Sequence, residues 1–307
     1  MDLSIIIPAF NEHESLPELL ESISGSVNPL NLAYEIIVID DGSTDTTLEV
    51  LRALKQKYPR LKVLSFRKNY GKSPALSEGF KIAQGKRVIT MDADLQDDPA
   101  EIPNLLAKLE EGFDMVSGWK KNRHDPLSKV IPSRIFNFVV AKLSGIPIHD
   151  FNCGLKAYRR EVVKSIQVYG ELHRFIPMLV RWQGFRVGEI PVLHHRRRYG
   201  ITKFGVARFF NGFFDLLTVL FLTRFKSTPL HIFGFLGLIS FFIGLGVELY
   251  LTWHWFAGYG IGQRPLFFLG ILLIIVGVQF IGFGLLAEMI SASLAENVNY
   301  SIKEKIE

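Results

Sequence analysis

Two stretches near the end of the chain, Pro229–Trp253 and Leu266–Ala287, limit what it can fold into more than any other feature. The second holds no charged residue, and the first holds only His231 and Glu248, near its two ends. At about 1.5 Å per residue, each is long enough to cross about 30 Å of hydrocarbon. Together they predict a transmembrane hairpin; a helical pair buried in a soluble core has the same composition. The connector "HWFAGYGIGQR" is short, and Trp253, Trp255 and Tyr259 beside it suit a membrane interface. Arg224 and Lys226 precede the first span and Lys303 and Lys305 follow the second, against Arg264 alone in the loop between. That bias predicts both termini on the cytoplasmic side of the inner or plasma membrane. The N-terminus "MDLSIIIPAFNE" lacks a basic, then apolar, then small-residue pattern, so no signal peptide is expected. Glycines at 234, 237, 244 and 246, then 270, 277, 282 and 284, allow close helix packing within the chain or between copies, a route to a homo-oligomer. Glu248 is expected to extend toward the interface.

The rest of the chain mixes charge and apolar residues in ordinary proportion, so the 48% hydrophobic content of the 307 residues comes from its end. The expected layout is a globular domain over 1–204, a juxtamembrane amphipathic region over 205–228, the hairpin over 229–290 and a cytoplasmic tail over 291–307. The segment 205–225, rich in phenylalanine with only Arg208, Asp215 and Arg224 charged, suits a helix lying in a bilayer interface or a core helix. A net charge of +5 suits anionic membrane, phosphorylated small molecules or nucleic acid. The single cysteine, Cys153, excludes an internal disulfide.

Over the first 120 residues, β-branched runs alternate with amphipathic stretches. Strands are predicted at 3–9, 35–40, 62–66, 87–91 and 114–117, and helices at 14–26, 46–58, 73–83 and 100–111. This alternation indicates an α/β fold with a parallel sheet covered on both faces, which the continuous apolar runs "IIIPA" and "IIVID" also require. Ligands of such sheets bind beyond the carboxyl ends of the strands. There this chain carries "PAFNE", "DDGSTD", "RKNYGK" and "DADLQDD".

The last of these places Asp92, Asp94, Asp97 and Asp98 within seven residues at the end of a buried strand. So many anions there require positive partners. In an extended D-x-D both side chains project to one side, so Asp92 and Asp94, with the Gln96 carbonyl, suit a hard dication such as Mg²⁺ or Mn²⁺. Asp97 and Asp98, just before Pro99, are expected to cap the next helix. There is no P-loop lysine motif, G-x-G-x-x-G after the first strand, H-E-x-x-H, paired C-x-x-C or G-x-S-x-G. Those absences argue against a P-loop nucleotidase, a dinucleotide oxidoreductase, a zinc site and a serine hydrolase.

The ordered strings "IIIPAFNE", "IIVIDDGSTDTT", "NYGKSPALSEGF", "MDADLQDDP", "CGLKAYRREVV" and "RRYGITKF" resemble glycosyltransferase family 2. Within it the chain is most similar to the polyprenyl-phosphate branch, which includes dolichyl-phosphate mannose synthase and bactoprenol glucosyltransferase. The resemblance implies a GT-A fold, Rossmann-like with a mostly parallel sheet, a nucleotide-sugar donor and inversion at the anomeric carbon. It implies that Pro8, Ala9, Asn11 and Glu12 line the nucleotide, and that Asp40 and Asp41 contact base and ribose with Lys72 nearby. It further implies that Asp92, Asp94 and Gln96 hold the metal, that Asp150 of "DFNCG" faces the sugar, and that Arg197 and Lys203 reach the donor phosphates. Relatives often carry G-S-R after the fifth strand where this chain has Gly118-Trp119-Lys120, so that arginine's work falls to Lys120, Lys121 or Arg123.

The chemistry agrees. A lipid phosphate monoester is already largely ionised at neutral pH, its second pKa being about 6, so it needs gathered positive charge more than a strong base. Lys120, Arg123, Arg134 and Arg198 are candidates for the acceptor phosphate. Asp94, Asp150 and Arg197 are the candidate catalytic residues, with Asp150 orienting the sugar or acting as base. The run 194–198 suits phosphate or anionic lipid headgroups. The expected activity is transfer of a hexose, glucose from UDP-glucose, to undecaprenyl phosphate on the cytoplasmic leaflet, with no nucleic-acid partner. Mannose from GDP-mannose, N-acetylglucosamine or an aminoarabinose are the alternative sugars. A processive polysaccharide synthase and an inactive membrane scaffold are the alternative functions.

Overall fold

The computed structural model describes residues 1–121, 127–196, 198, 229–260 and 265–295. The chain divides into two units, Met1–Leu216 and Leu217–Glu307.

The first unit is built on a seven-stranded sheet in the order β3-β2-β1-β4-β6-β5-β7. β1 (Leu3–Ala9), β2 (Tyr34–Asp40), β3 (Leu61–Ser65) and β4 (Arg87–Thr90) are mutually parallel. β2 is buried along its whole length and β1 at all but Pro8, which matches apolar runs covered on both faces. Pro8 is tolerated in a central strand because its missing N–H falls on the β4 side, where pairing has stopped at Ile6↔Thr90. α1 (Leu16–Val27), α2 (Thr47–Lys57), α3 (Lys72–Ile82) and α4 (Ile102–Glu110) follow the first four strands. These elements, and β5 (Met115–Trp119), lie within about two residues of the predicted ranges, as a 3.6-residue and a two-residue period each leave a strong pattern.

The other part of the sheet was not evident from local pattern. After α5 (Leu127–Ser144) the chain enters the sheet as β6 (Lys156–Arg159), antiparallel to both β4 and β5. It then runs through α6 (Arg160–Ser165) and α7 (Ile176–Trp182) to β7 (Val187–Pro191), parallel to β5. The reversal at β6 brings residues 150–155 over the carboxyl end of β4. Thr90 donates its hydroxyl to the Gly154 carbonyl at 2.9 Å, fixing that approach.

The second unit contains α8 (Pro229–Phe256) and α9 (Pro265–Ala295). Both are long and apolar enough to cross a membrane, and 11% of each most apolar window is buried, far less than a soluble core helix requires. Large side chains such as Phe242, Leu249, Trp253 and Phe268 face outward. Inward, α8 and α9 approach through glycine: a Cβ on Gly237 would stand 2.7 Å from the Gly277 carbonyl oxygen, and one on Gly244 2.7 Å from that of Gly270. Ser240 donates to the Leu273 carbonyl at 2.8 Å and the Leu230 N–H donates to Glu288 at 3.2 Å. These glycines therefore close the hairpin on itself. Glu248 does not reach outward as expected; its carboxyl turns into the space beside Gly270, which has no side chain to exclude it. The predicted juxtamembrane helix and the tail lie outside the described residues, apart from the last turn of α9.

Candidate active site

The loops after β1 and β2 are stitched together. Asn11, in the left-handed region at φ 56°, donates its N–H to Ser43 Oγ at 2.9 Å and accepts the Thr44 N–H at 2.8 Å. The Glu12 N–H donates to Thr47 Oγ1 at 2.9 Å, and the Glu12 carboxylate accepts the Ser15 hydroxyl at 2.8 Å. Asp40 accepts the Ser43 N–H at 3.0 Å and the Ser65 hydroxyl at 2.6 Å. Asp41 accepts the Tyr70 and Gly71 N–H groups at 2.7 and 2.8 Å. Burial pushes the Asp41 carboxyl above its ordinary pKa, and those two N–H groups offset part of the rise. Both aspartates, expected to touch base and ribose, are buried and shape the loops from within. Ala9 is likewise buried, whereas Pro8 lines the cavity described below.

The acidic loop has the cations its charge demands, and they come from elsewhere in the chain. Lys72, at the start of α3, forms an ion pair with Asp92, whose side chain remains about one-third exposed (31%). Burial alone would raise the Asp92 pKa; the Lys72 and Lys120 ammonium groups outweigh it and hold the carboxyl well below the usual carboxylate range. Asp97 does not cap a helix. Its carboxylate is sealed inside, paired with Lys120 at 3.0 Å and accepting the Asp92 N–H at 3.3 Å. Lys120, expected to hold the acceptor phosphate, is thus committed inward: burial favours its neutral form, and Asp97 reverses that and raises its pKa. Asp98 does cap, accepting the Ala100 N–H at 2.9 Å, and also pairs with His195 Nε2 at 2.9 Å. The His195 N–H donates to the Gln96 carbonyl at 2.9 Å, so the run that starts at His194 is docked on the acidic loop.

Asp94 is buried and accepts the Gln96 N–H at 3.2 Å across Leu95, which adopts φ 58°. The Gln96 side chain donates to the His195 carbonyl at 3.4 Å. Among the described residues no cluster of three or more His, Cys, Asp or Glu side chains is poised for a metal. Two carboxylates on one loop suit a hard dication that takes its other ligands from water and substrate phosphate, and do not suit a closed zinc site.

Residues 150–154 cover the loop. The Asp150 carboxylate, 1% exposed, accepts the Asn152 N–H at 3.1 Å. It sits inside the 150–154 turn. His149 and Asp150 donate their N–H groups to Glu189 at 2.6 and 3.3 Å, and His149 stacks on Trp119. Gly154 is required here because a Cβ would stand 2.6 Å from the Asp92 carboxylate. Burial pushes the Cys153 thiol up to about 12, which leaves it protonated and unreactive.

Between Asp92 and this cover lies a narrow cavity that also exposes Lys156 and His173. Lys156 donates to the Cys153 carbonyl, and burial lowers its pKa. Neither Lys156 nor His173 carries a local sequence signal; they join Asp92 around the cavity only through the reversed β6 and the 3₁₀ turn Leu172–Phe175 beyond α6. Arg134 is exposed on α5, and Arg198 pairs with Glu18 at 2.6 Å on the surface instead of entering the site. Arg123, Arg197 and Lys203 lie outside the described residues.

Residues 4–167 match the family model described as glycosyl transferase family 2. Dodecaprenyl-phosphate galacturonate synthase of Rhizobium johnstonii is 38% identical over 95% of this chain and 88% of its own length. Undecaprenyl-phosphate 4-deoxy-4-formamido-L-arabinose transferase of Shewanella sediminis is 38% identical over 94% of this chain and 86% of its own. The structure of glucosyl-3-phosphoglycerate synthase from Mycobacterium tuberculosis in complex with Mn²⁺, UDP and phosphoglyceric acid superposes with a TM-score of 0.56, at 20% identity over 72% of this chain and 77% of that one. That likeness shows the GT-A-like fold.

Proposed function

The chain belongs to glycosyl transferase family 2, and from that premise we propose that it moves one sugar from a uridine diphosphate donor to the phosphate of a polyprenyl phosphate at a membrane. One observation carries the reading: an acidic loop at the strand ends, balanced by Lys72 and Lys120, stands in the same chain as two helices apolar enough to span a bilayer. The relatives support the acceptor, since both are named for polyprenyl phosphates and align over more than nine-tenths of this chain. They move the sugar away from glucose. Their names specify galacturonate and 4-deoxy-4-formamido-L-arabinose, so we assign the donor to that class of polar-substituted sugars.

In the proposed reaction an acceptor phosphate oxygen bonds to the anomeric carbon as the bond to the donor diphosphate breaks, and nucleoside diphosphate leaves. The acceptor dianion has no proton to lose, so no strong base is needed. Asp150 accordingly holds the 150–154 turn in place. Asp92 and Asp94 are the ligands we assign to Mg²⁺ or Mn²⁺, and that ion, when bound, neutralises the donor diphosphate. Lys72, freed from Asp92 as the site loads, is placed to accompany a phosphate oxygen. Arg123, Arg134, Arg197 and Lys203 are the basic residues we assign to the two polyanions. We assign the active unit and both termini to the cytoplasmic side.

The test is a screen of UDP-galacturonate, UDP-4-deoxy-4-formamido-L-arabinose and UDP-glucose against undecaprenyl phosphate, with products read by mass. A lipid-phosphate product from one of the first two is expected. Glucose transfer alone would overturn the sugar assignment, and no lipid product from any of the three would overturn the acceptor assignment.

A further inference from the structure

His173 faces the cavity beneath the acidic loop and has no part in the reaction as outlined. It lies in the 3₁₀ turn Leu172–Phe175, and its partner Ser73 sits in the first turn of α3. Ser73 Oγ accepts the His173 backbone N–H at 3.0 Å and lies 3.0 Å from His173 Nδ1. Ser73 is fully buried. Ser73 Oγ has a second lone pair as well as its own proton, so the contact to Nδ1 fits either direction; when Ser73 donates to Nδ1, the imidazole proton lies on Nε2. Nε2 has no protein partner among the described residues, and His173 lines the cavity together with Asp92, Asn152, Gly154 and Lys156. Burial first, then the charges of Lys72 and Arg174, hold the imidazolium well below its ordinary range, so the ring is neutral.

We propose that His173 is a specificity-determining residue of the donor pocket, donating Nε2–H to a hydroxyl or substituent oxygen of the transferred sugar. The cavity already contains two ammonium groups, Lys72 and Lys156, which are the natural partners of anionic phosphate oxygens. An uncharged, directional N–H is suited to the neutral oxygens that distinguish one sugar from another. Ser73 acts through His173 as a positioning residue, fixing the tautomer.

This rests on the nucleotide-sugar reading, and the experiment separates the two. Binding of UDP, UDP-galacturonate and UDP-glucose to the full chain in detergent is measured by calorimetry. At least one nucleotide sugar should bind the natural protein more tightly than UDP. In His173→Ala that sugar nucleotide should weaken by about five- to tenfold, the scale of one neutral hydrogen bond, with UDP unchanged. His173→Gln, whose amide N–H reaches a similar position, should recover most of the loss, and thermal melting checks that both variants fold. In ¹⁵N-histidine NMR, His173 should carry its proton on Nε2, and Ser73→Ala should give a mixture of tautomers. Equal weakening of UDP and sugar nucleotide, no weakening of either, or a proton on Nδ1 would overturn the role of His173. Failure of the natural protein to bind any of the three would overturn the nucleotide-sugar reading, and this inference with it.

Discussion

The sheet unit and the helical hairpin are each held together internally, and in opposite ways. In the sheet unit, charge is taken inside and matched: Asp97 with Lys120, Asp92 with Lys72, Lys156 on a carbonyl. In the hairpin, side chains are removed where the helices meet, at Gly237, Gly244, Gly270 and Gly277, and the large apolar groups face outward. A matched charge fixes the position of a functional group, because any displacement leaves an uncompensated ion. A glycine contact fixes only the spacing of two backbones. The chemistry belongs to the unit where charge is buried.

That contrast is open to direct attack, most severely at Asp97. Asp97→Ala leaves the Lys120 ammonium buried without its partner, and should lower the stability of the sheet unit by about 3–5 kcal/mol in denaturant melts. Replacing both, with Asp97→Leu and Lys120→Met, should restore much of the stability and none of the activity. A loss below about 1 kcal/mol in the single variant would show that the pair is not dry. The matching change in the hairpin, Gly244→Leu, should push α8 and α9 apart and destabilise their contact by about 1–3 kcal/mol. Spin labels on the two helices would report the separation, and unchanged distances would refute the packing account. UDP binding should survive this change.

A smaller effect concerns acid. The Asp92 pKa in the folded chain lies below its unfolded value of about 3.9, so the contribution of its pairing with Lys72 is fully present above that pH and is lost as pH falls through the folded value. Stability should decline below about pH 4, with a shallower slope in Asp92→Asn; equal slopes would remove the pairing from the account. The smallest effect is expected for Arg198→Ala, since both partners of the Arg198–Glu18 pair are exposed and such pairs contribute about 1 kcal/mol or less.

The contrast also explains what could be read from the chain in advance. Apolar period alone located β1 to β5 and α1 to α4, and made the spans of α8 and α9 evident, because each pattern is local. β6, "KAYR", and β7, "VGEIP", are short and carry mixed polarity, and their pairing is set by strands far away in sequence. The acidic loop was legible as a site that needs cations. Which cations is not legible: the sequence suggests a phosphate ligand at Lys120 and a helix cap at Asp97, because a buried pair between distant residues leaves no spacing to recognise. The burial of Asp150 leaves no local signal either, since it depends on Glu189 and on the turn through Asn152. His173 had no local signal, since its partner Ser73 is 100 residues away.

The central claim is that the carboxylates of the acidic loop bring together two anions, a sugar nucleotide and a lipid phosphate. Its most direct test is transfer of labelled sugar to undecaprenyl phosphate by the purified full chain, with and without a chelator, alongside Asp94→Ala. Transfer should stop on chelation, return with Mg²⁺ or Mn²⁺, and be abolished in the variant. Undiminished transfer in chelator, or by Asp94→Ala, would contradict it.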